Sequence, residues 1–222
     1  MILKSITTLF ISAALSASVL AAQAGLDDSI AEIAHRWAKI NYQTPDSEKE
    51  QAFQKLIAEV SQLSQSFPGK AEPLIWHAIT LSSAAKVEGG LGGLSKAKEA
   101  RDLLLASEKL NPTALNGSAY NSLGSLYAKV PGWPIGFGDK KKAKEYFDKA
   151  LAINPNGIDP NYFYGDMLAD QGDYVHAVDF LKRALGAPSR AGREDADAGR
   201  RQDIQRLLDS IKQKHGDQLA SK

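Results

Sequence analysis

Apolar side chains recur three and four positions apart along most of the chain from residue 25 onward. Such spacing places them on one face of an α-helix, whereas the strict alternation typical of a half-buried strand is missing. The last helical stretch shows the pattern clearly, because Ile204, Leu207, Leu208 and Ile211 share one face. The hydrophobic pattern therefore predicts an all-α protein.

The first 24 residues follow a different pattern. Lys4 precedes a run of apolar or small residues at positions 6–20, and Ala22-Gln23-Ala24 closes it as an A-x-A cleavage site. The apolar run is about 15 residues long, which is short of the roughly 20 that a membrane-spanning helix needs. We predict a cleavable signal peptide over residues 1–24 and an exported, periplasmic protein; an uncleaved N-terminal anchor is the alternative.

The remaining chain contains an internal repeat. Four positions of one segment recur 34 residues further along: Ala143, Phe147, Ala150 and Pro155 correspond to Ala177, Leu181, Ala184 and, one residue early, Pro188. Upstream, at an offset of 43 residues, Ala100 and Leu104 occupy the first two of these positions. Self-similarity at such periods is typical of stacked helical repeats.

These segments resemble the tetratricopeptide repeat (TPR) family, whose unit is a pair of antiparallel helices. The first-helix signature occurs at Tyr120, Leu123, Gly124 and Tyr127, and again at Asn161, Tyr164, Gly165 and Leu168. The second-helix signature is the recurring Ala-Phe-Ala-Pro set. We expect the small residues at the Gly124/Gly165 and Ala143/Ala177 positions to let helices approach closely.

The resemblance implies a right-handed α-α superhelix of about four helix hairpins, closed at its end by a C-terminal capping helix. The hairpins are expected at residues 25–68, 72–112, 116–155 and 158–188. A charged linker and the capping helix are expected at residues 189–222.

Two connections within the repeats are longer than the family's usual spacing, at residues 87–96 and 130–139. Their glycines and prolines predict loops, and their equivalent positions in consecutive units place both at the same edge of the array. Trp133, Ile135 and Phe137 make the second loop unusually apolar. These side chains either pack onto the neighbouring repeat as local core or form a lip that binds a partner or ligand.

The resemblance also implies a concave groove lined by the first helix of each unit. The family's groove positions correspond to Ser82, Lys86, Asn121, Ser125, Lys129, Tyr162, Asp166 and Asp170. Lys86 and Lys129 would suit a peptide carboxylate and Asn121 a peptide backbone, but Asp166 and Asp170 would repel that carboxylate. The carboxylate clamp of some family members is therefore not reproduced, and ordinary solvated surface is the alternative.

Composition excludes several classes of function. Twenty-seven basic side chains balance 26 acidic ones, which argues against a nucleic-acid binder. The absence of cysteine excludes disulfides, thiolate metal sites, a cysteine nucleophile and the lipidated cysteine of a bacterial lipoprotein. The four histidines lack metal-ligand spacing, and His77 is expected to be a packed or groove-facing helix residue. We predict no enzyme, and no catalytic, metal or cofactor residues.

The leading interpretation is a non-catalytic periplasmic scaffold that binds another periplasmic or envelope protein. Residues 126–139 resemble the periplasmic repeat proteins that accompany TRAP-type solute transporters, which implies a solute-binding protein as one partner. The alternative is a small-ligand carrier with an apolar pocket between Trp76, Trp133, Phe137 and Tyr162, covered by the two loops. A homo-oligomer is left open.

Overall fold

The computed structural model describes residues 4–220, with side chains described for residues 23–217 and 219. Within that range the chain forms nine helices: α1 (Lys4–Gln43), α2 (Asp46–Ser66), α3 (Ala71–Glu88), α4 (Gly90–Leu110), α5 (Ala114–Lys129), α6 (Lys140–Ile153), α7 (Ile158–Asp170), α8 (Tyr174–Leu185) and α9 (Glu194–Ala220). The all-α prediction is confirmed. The signal-peptide prediction falls almost entirely on side chains outside the described residues and stays a prediction.

Neighbouring helices pack in pairs along the chain. The most extensive contacts join α3 to α4, α5 to α6 and α7 to α8, while α1, α3, α5 and α7 also touch one another in order along the array. This is the arrangement of a TPR-like superhelix. The last helix, α9, packs on α8 and reaches across to α7 and α1.

Small residues let the paired helices approach closely, as the sequence predicts. A Cβ added to Gly124 of α5 would lie 2.8 Å from the ring of Phe147, which is fully buried. A Cβ on Gly165 of α7 would lie 3.2 Å from the carbonyl oxygen of Ala177. Both contacts are shorter than ordinary van der Waals spacing, so glycine is needed where each hairpin crosses.

The glycine-rich connection at residues 87–96 is not the long loop that the sequence predicts. Gly89 and Gly90 have positive φ, at 65° and 54°, and α4 begins at Gly90. Gly93 lies inside α4, where a Cβ would meet the carbonyl oxygen of Ala85 at 2.5 Å. Lys96 forms an ion pair with Glu88 across the turn. The glycines therefore allow a tight helix crossing here rather than forbidding a helix.

The charged run at residues 190–201 is not an extended linker. It becomes helical at Glu194, and Asp197 and Arg200 are buried, at 1% and 7% exposure. Ionic side chains are buried at this depth only where opposite charges meet them, and Asp159 of α7 supplies a partner for Arg200 at 2.9 Å. The C-terminal part of α9 packs by apolar contact instead, because Ile204 and Ile211 join the cluster around Leu181 of α8.

Candidate interaction surfaces

The loop at residues 130–139 connects α5 to α6 and is held by hydrogen bonds to both helices. The amide of Gly138 donates to the carbonyl of Pro131 at 2.9 Å, and the amide of Asp139 donates to the carbonyl of Tyr127 at 2.9 Å. The Asp139 carboxylate caps α6 by accepting from the amides of Lys141 and Lys142, at 2.9 and 3.1 Å. Both ends of the loop are therefore tied to helices.

Phe137 anchors this loop to the helices beneath it. Its ring meets Tyr127 of α5 edge-on at 5.4 Å, and the guanidinium of Arg101 of α4 lies 4.6 Å from the ring centroid. Phe137 is half-buried against the main apolar cluster. Of the two roles that the sequence leaves open for the apolar loop residues, Phe137 takes that of local core.

Trp133 and Ile135 of the same loop project into solvent, with 90% and 65% of their surface exposed. Leu91, in the first turn of α4, is 84% exposed, and Val87, at the end of α3, is 38% exposed. The two turns join the first and second helices of consecutive pairs, and Arg101 links the loop to α4. We call Val87, Leu91, Trp133 and Ile135 the edge surface, since they are exposed large apolar side chains on connections that hold equivalent positions in consecutive helix pairs.

Three lysines lie beside the edge surface, whereas the adjoining acidic residues are engaged: Glu88 pairs with Lys96, and Asp139 caps α6. Lys86 precedes Val87, while Lys140 and Lys141 open α6 directly after the loop, and all three are exposed. Within the part of the chain that the structure describes, none of the three lysines forms an ion pair. The edge surface is therefore flanked by uncompensated positive charge.

The predicted groove residues of α5 and α7 are largely engaged with one another. The ammonium of Lys129 lies 2.8 Å from a carboxylate oxygen of Asp166 and 2.5 Å from one of Asp170. Burial alone would lower the pKa of Lys129, but the hydrogen bonds and charges of the two aspartates outweigh it and raise that pKa. The two carboxylates are thus paired with Lys129 and hold its side chain in place.

Two further groove residues lie on α5 and one on α3. Asn121 is buried, at 8% exposure, and its side-chain oxygen accepts no hydrogen bond within the described residues. Ser125 is half-buried one turn later, and Lys86 is exposed near the end of α3. Of the predicted binding residues, the structure brings together Lys129, Asp166 and Asp170, while Trp133 and Ile135 are exposed on one loop.

Tyr162 of α7 lies beneath the C-terminal helix. The guanidinium of Arg200 stands 4.5 Å from the centroids of both the Tyr162 and Phe163 rings. Burial raises the pKa of the Tyr162 hydroxyl, against the opposing charge of Arg200. This predicted groove residue is therefore covered by the chain itself.

The carrier pocket predicted between Trp76, Trp133, Phe137 and Tyr162 does not form. Trp76 is buried between Trp37, whose ring centroid lies 6.2 Å away, and the guanidinium of Arg193 at 5.0 Å. Trp133 points outward and encloses nothing. A cavity of about 150 Å³ lies instead beside His35 and residues 192–196.

A set of arginines was missed by the sequence reasoning. Arg190, Arg193 and Arg200 lie with Asp159 and Asp197 on the inner side of the array. Asp197 is close to Arg190 in the sequence, but Asp159, which pairs with both Arg190 and Arg200, is distant from them. The only local signal is the alternation of arginine and aspartate in residues 190–203. That alternation is equally common on solvated helices.

Three further observations bear on function. His77 is buried, as predicted, and burial lowers the pKa of its imidazole. Among the described residues, no cluster of acidic, histidine or cysteine side chains has metal-binding geometry. The helices in that part of the chain include none long and apolar enough to cross a membrane.

Comparison with known protein families gives a match to part of the chain. A family profile described as tetratricopeptide repeat matches residues 135–156, which span the end of the loop and all of α6. No curated protein sequence matches the chain. The profile match, together with the paired helices, supports the resemblance of this chain to the tetratricopeptide repeat family.

Proposed function

We propose that the protein is an exported, non-catalytic scaffold that binds another protein of the bacterial envelope through the edge surface. The paired-helix fold and the repeat-family match suit the chain to protein interaction. The observation that carries the proposal is the 90% exposure of Trp133 on a loop whose Phe137 is packed. Tryptophan is among the residues that contribute most to binding energy when a partner buries them.

The residues around Trp133 indicate what chemistry the partner's surface should have. An apolar pocket would accept Trp133 and Ile135, and carboxylates around that pocket would face Lys86, Lys140 and Lys141. A more specific version of the proposal is an accessory role in a TRAP-type solute transport system, with a solute-binding protein as the partner. It is supported by the resemblance of residues 126–139 and by the predicted signal peptide.

The test places a photo-crosslinking amino acid at position 135 in cells, with the exposed position Gln54 of α2 as the control site. We expect position 135 to crosslink one envelope protein that position 54 does not. Adding Trp133→Ser should abolish that crosslink, because the partner loses its main apolar contact. A crosslink that survives Trp133→Ser unchanged would refute binding through the edge surface.

A stability measurement separates binding from folding. Trp133→Ser should change the free energy of unfolding by less than about 0.5 kcal/mol, because the side chain touches solvent. Phe137→Ser should destabilise by about 2 kcal/mol, because it removes a half-buried ring from between Tyr127 and Arg101. A Trp133→Ser variant as unstable as Phe137→Ser would show that the loss of the crosslink reflects misfolding.

A further inference from the structure

The inner side of the array is occupied by the chain's own residues 190–201, which we call the latch. We call the surface that receives it the inner face, and define it by Tyr42 of α1, Trp76 of α3, and Asp159 and Tyr162 of α7. Ala196 of the latch is buried in the cluster that contains Trp76. At Gly199, an added Cβ would lie 2.3 Å from the Tyr42 ring.

Three arginines of the latch, Arg190, Arg193 and Arg200, contact residues of the inner face. Asp159 accepts from Arg190 through one carboxylate oxygen at 2.7 Å and from Arg200 through the other at 2.9 Å. Arg200 also stacks on Tyr162, and the guanidinium of Arg193 lies over Trp76 at 5.0 Å. A carboxylate between aromatic rings is a geometry that suits guanidinium groups in particular.

The latch is held differently from the rest of α9. Its inward-facing positions are small or charged, and Gly199 and Ala196 are the residues that fit against α1 and Trp76. Farther along α9, Ile204 and Ile211 pack on the apolar side chains of α8. Replacing a whole buried ion pair by other well-matched groups is often close to neutral, because desolvation offsets much of the attraction, whereas removing one partner of the pair is costly. A helix from another protein that brings its own arginines would replace these pairs without leaving Asp159 unpaired. Release of the latch then requires α9, which is helical from Glu194 with no break before His215, to open near Arg201 while Ile204 and Ile211 stay docked.

Spacing within the latch defines what the inner face recognises. Arg193 directly precedes α9, where its carbonyl accepts from the amide of Asp197, and Arg200 lies about two turns further along the helix. Ala196 and Gly199 lie between them on the same side and allow the backbone to approach α1. Any helix with two arginines at this spacing and small residues between them would present the same groups.

We propose that the latch is a displaceable internal ligand, and that the inner face binds an arginine-bearing helix of this pattern from another protein when the latch leaves. The site is separate from the edge surface and does not depend on the function proposed for it. Charge complementarity is the basis of the proposal: Asp159 and the aromatic rings already hold arginines in these positions.

The first test measures binding of a synthetic peptide of residues 188–203 to the full chain and to Gly199→Ala. The substitution forces a methyl group into the Tyr42 ring and should release the latch. We expect the variant to bind the peptide at least about tenfold more tightly than the unmodified chain. A peptide with both arginines replaced by glutamine should bind neither protein.

A cysteine pair keeps the proposal testable if Gly199→Ala fails to fold. Tyr42→Cys with Gly199→Cys puts the two Cβ atoms within roughly 3.8 Å, the usual spacing in a disulfide, in a chain without other cysteines. The oxidised form should bind the peptide at least about tenfold more weakly than the reduced form, because the bond holds the latch closed.

Several outcomes would overturn the proposal. Equal binding by the oxidised and reduced forms would show that the latch does not control the inner face. Equal binding of the glutamine peptide would show that arginine recognition is absent. A dimer formed by Gly199→Ala that excludes the peptide would assign the inner face to the latch of a second copy instead.

Discussion

Replacing Asp159 by asparagine should strongly destabilise the protein, because this carboxylate is the common partner of two latch arginines. It accepts from Arg190 at 2.7 Å and from Arg200 at 2.9 Å. Burial alone would raise the pKa of Asp159, yet the charges of Arg200 and Arg190 lower it from 3.8 to about 2. The interaction with the charged form is therefore stronger than the desolvation that opposes it.

The size of the effect follows from these values. A pKa that falls from 3.8 to about 2 on folding corresponds to about 2 kcal/mol of stability at neutral pH. Asparagine also removes one of the two carboxylates that each arginine meets, because Arg190 keeps Asp197 and Arg200 keeps Asp203, so we expect a total loss of about 3 kcal/mol at pH 7. The contribution is present above pH 4 and is lost as the pH falls through about 2, because protonation neutralises the carboxylate.

Urea unfolding of the two proteins at pH 7 and at pH 2 measures this directly. The difference in unfolding free energy between the unmodified chain and Asp159→Asn should shrink by about 1 to 2 kcal/mol at the lower pH. Asp148→Asn is the matched control, because Asp148 is half exposed and pairs only with Lys144 on the surface of α6. A loss below about 1 kcal/mol at pH 7, or a difference that does not change with pH, would refute the reasoning.

Two further predictions concern the fold and its ligands. Gly165→Leu should unfold the last two helix pairs, because the new side chain would be driven into Leu181 and the carbonyl of Ala177. Gly216→Leu is the control, because an added Cβ at Gly216 meets nothing within 4 Å. An unchanged melting curve for Gly165→Leu would contradict the packing. Native mass spectrometry of the gently purified chain should give the mass of the protein alone, whereas a bound mass of a few hundred daltons that disappears on denaturation would revive the carrier interpretation.

The sequence predicts those parts of the fold that depend on local spacing. Helix periodicity identifies the helices, and the recurring small residues identify where they cross, because Gly124 and Gly165 face the partner helix of their own hairpin. The glycine-rich turn was predicted wrongly, because the sequence does not show that Gly93 lies beneath the carbonyl of Ala85. Glycine permits a loop and a close crossing equally well.

The surfaces were harder to predict, because they depend on contacts between distant residues. Trp133, Ile135 and Phe137 alternate in one loop, and only Arg101 and Tyr127 determine that Phe137 is the side chain that packs. Likewise, Asp159 pairs with arginines 31 and 41 positions away, a separation that no helical spacing encodes. A charged run is therefore predicted to be solvent-exposed unless the helix that packs against it is known.

The two proposals place the external partner and the internal ligand on different sides of the array, and this separation can be tested. Closing the latch with the Tyr42–Gly199 cysteine pair acts on α1 and α9, whereas Trp133 lies between α5 and α6. The closed form should therefore keep its crosslink at position 135 while losing affinity for the arginine peptide. A crosslink that disappears when the latch closes would instead couple the two surfaces, and the edge surface would then depend on the movement of α9.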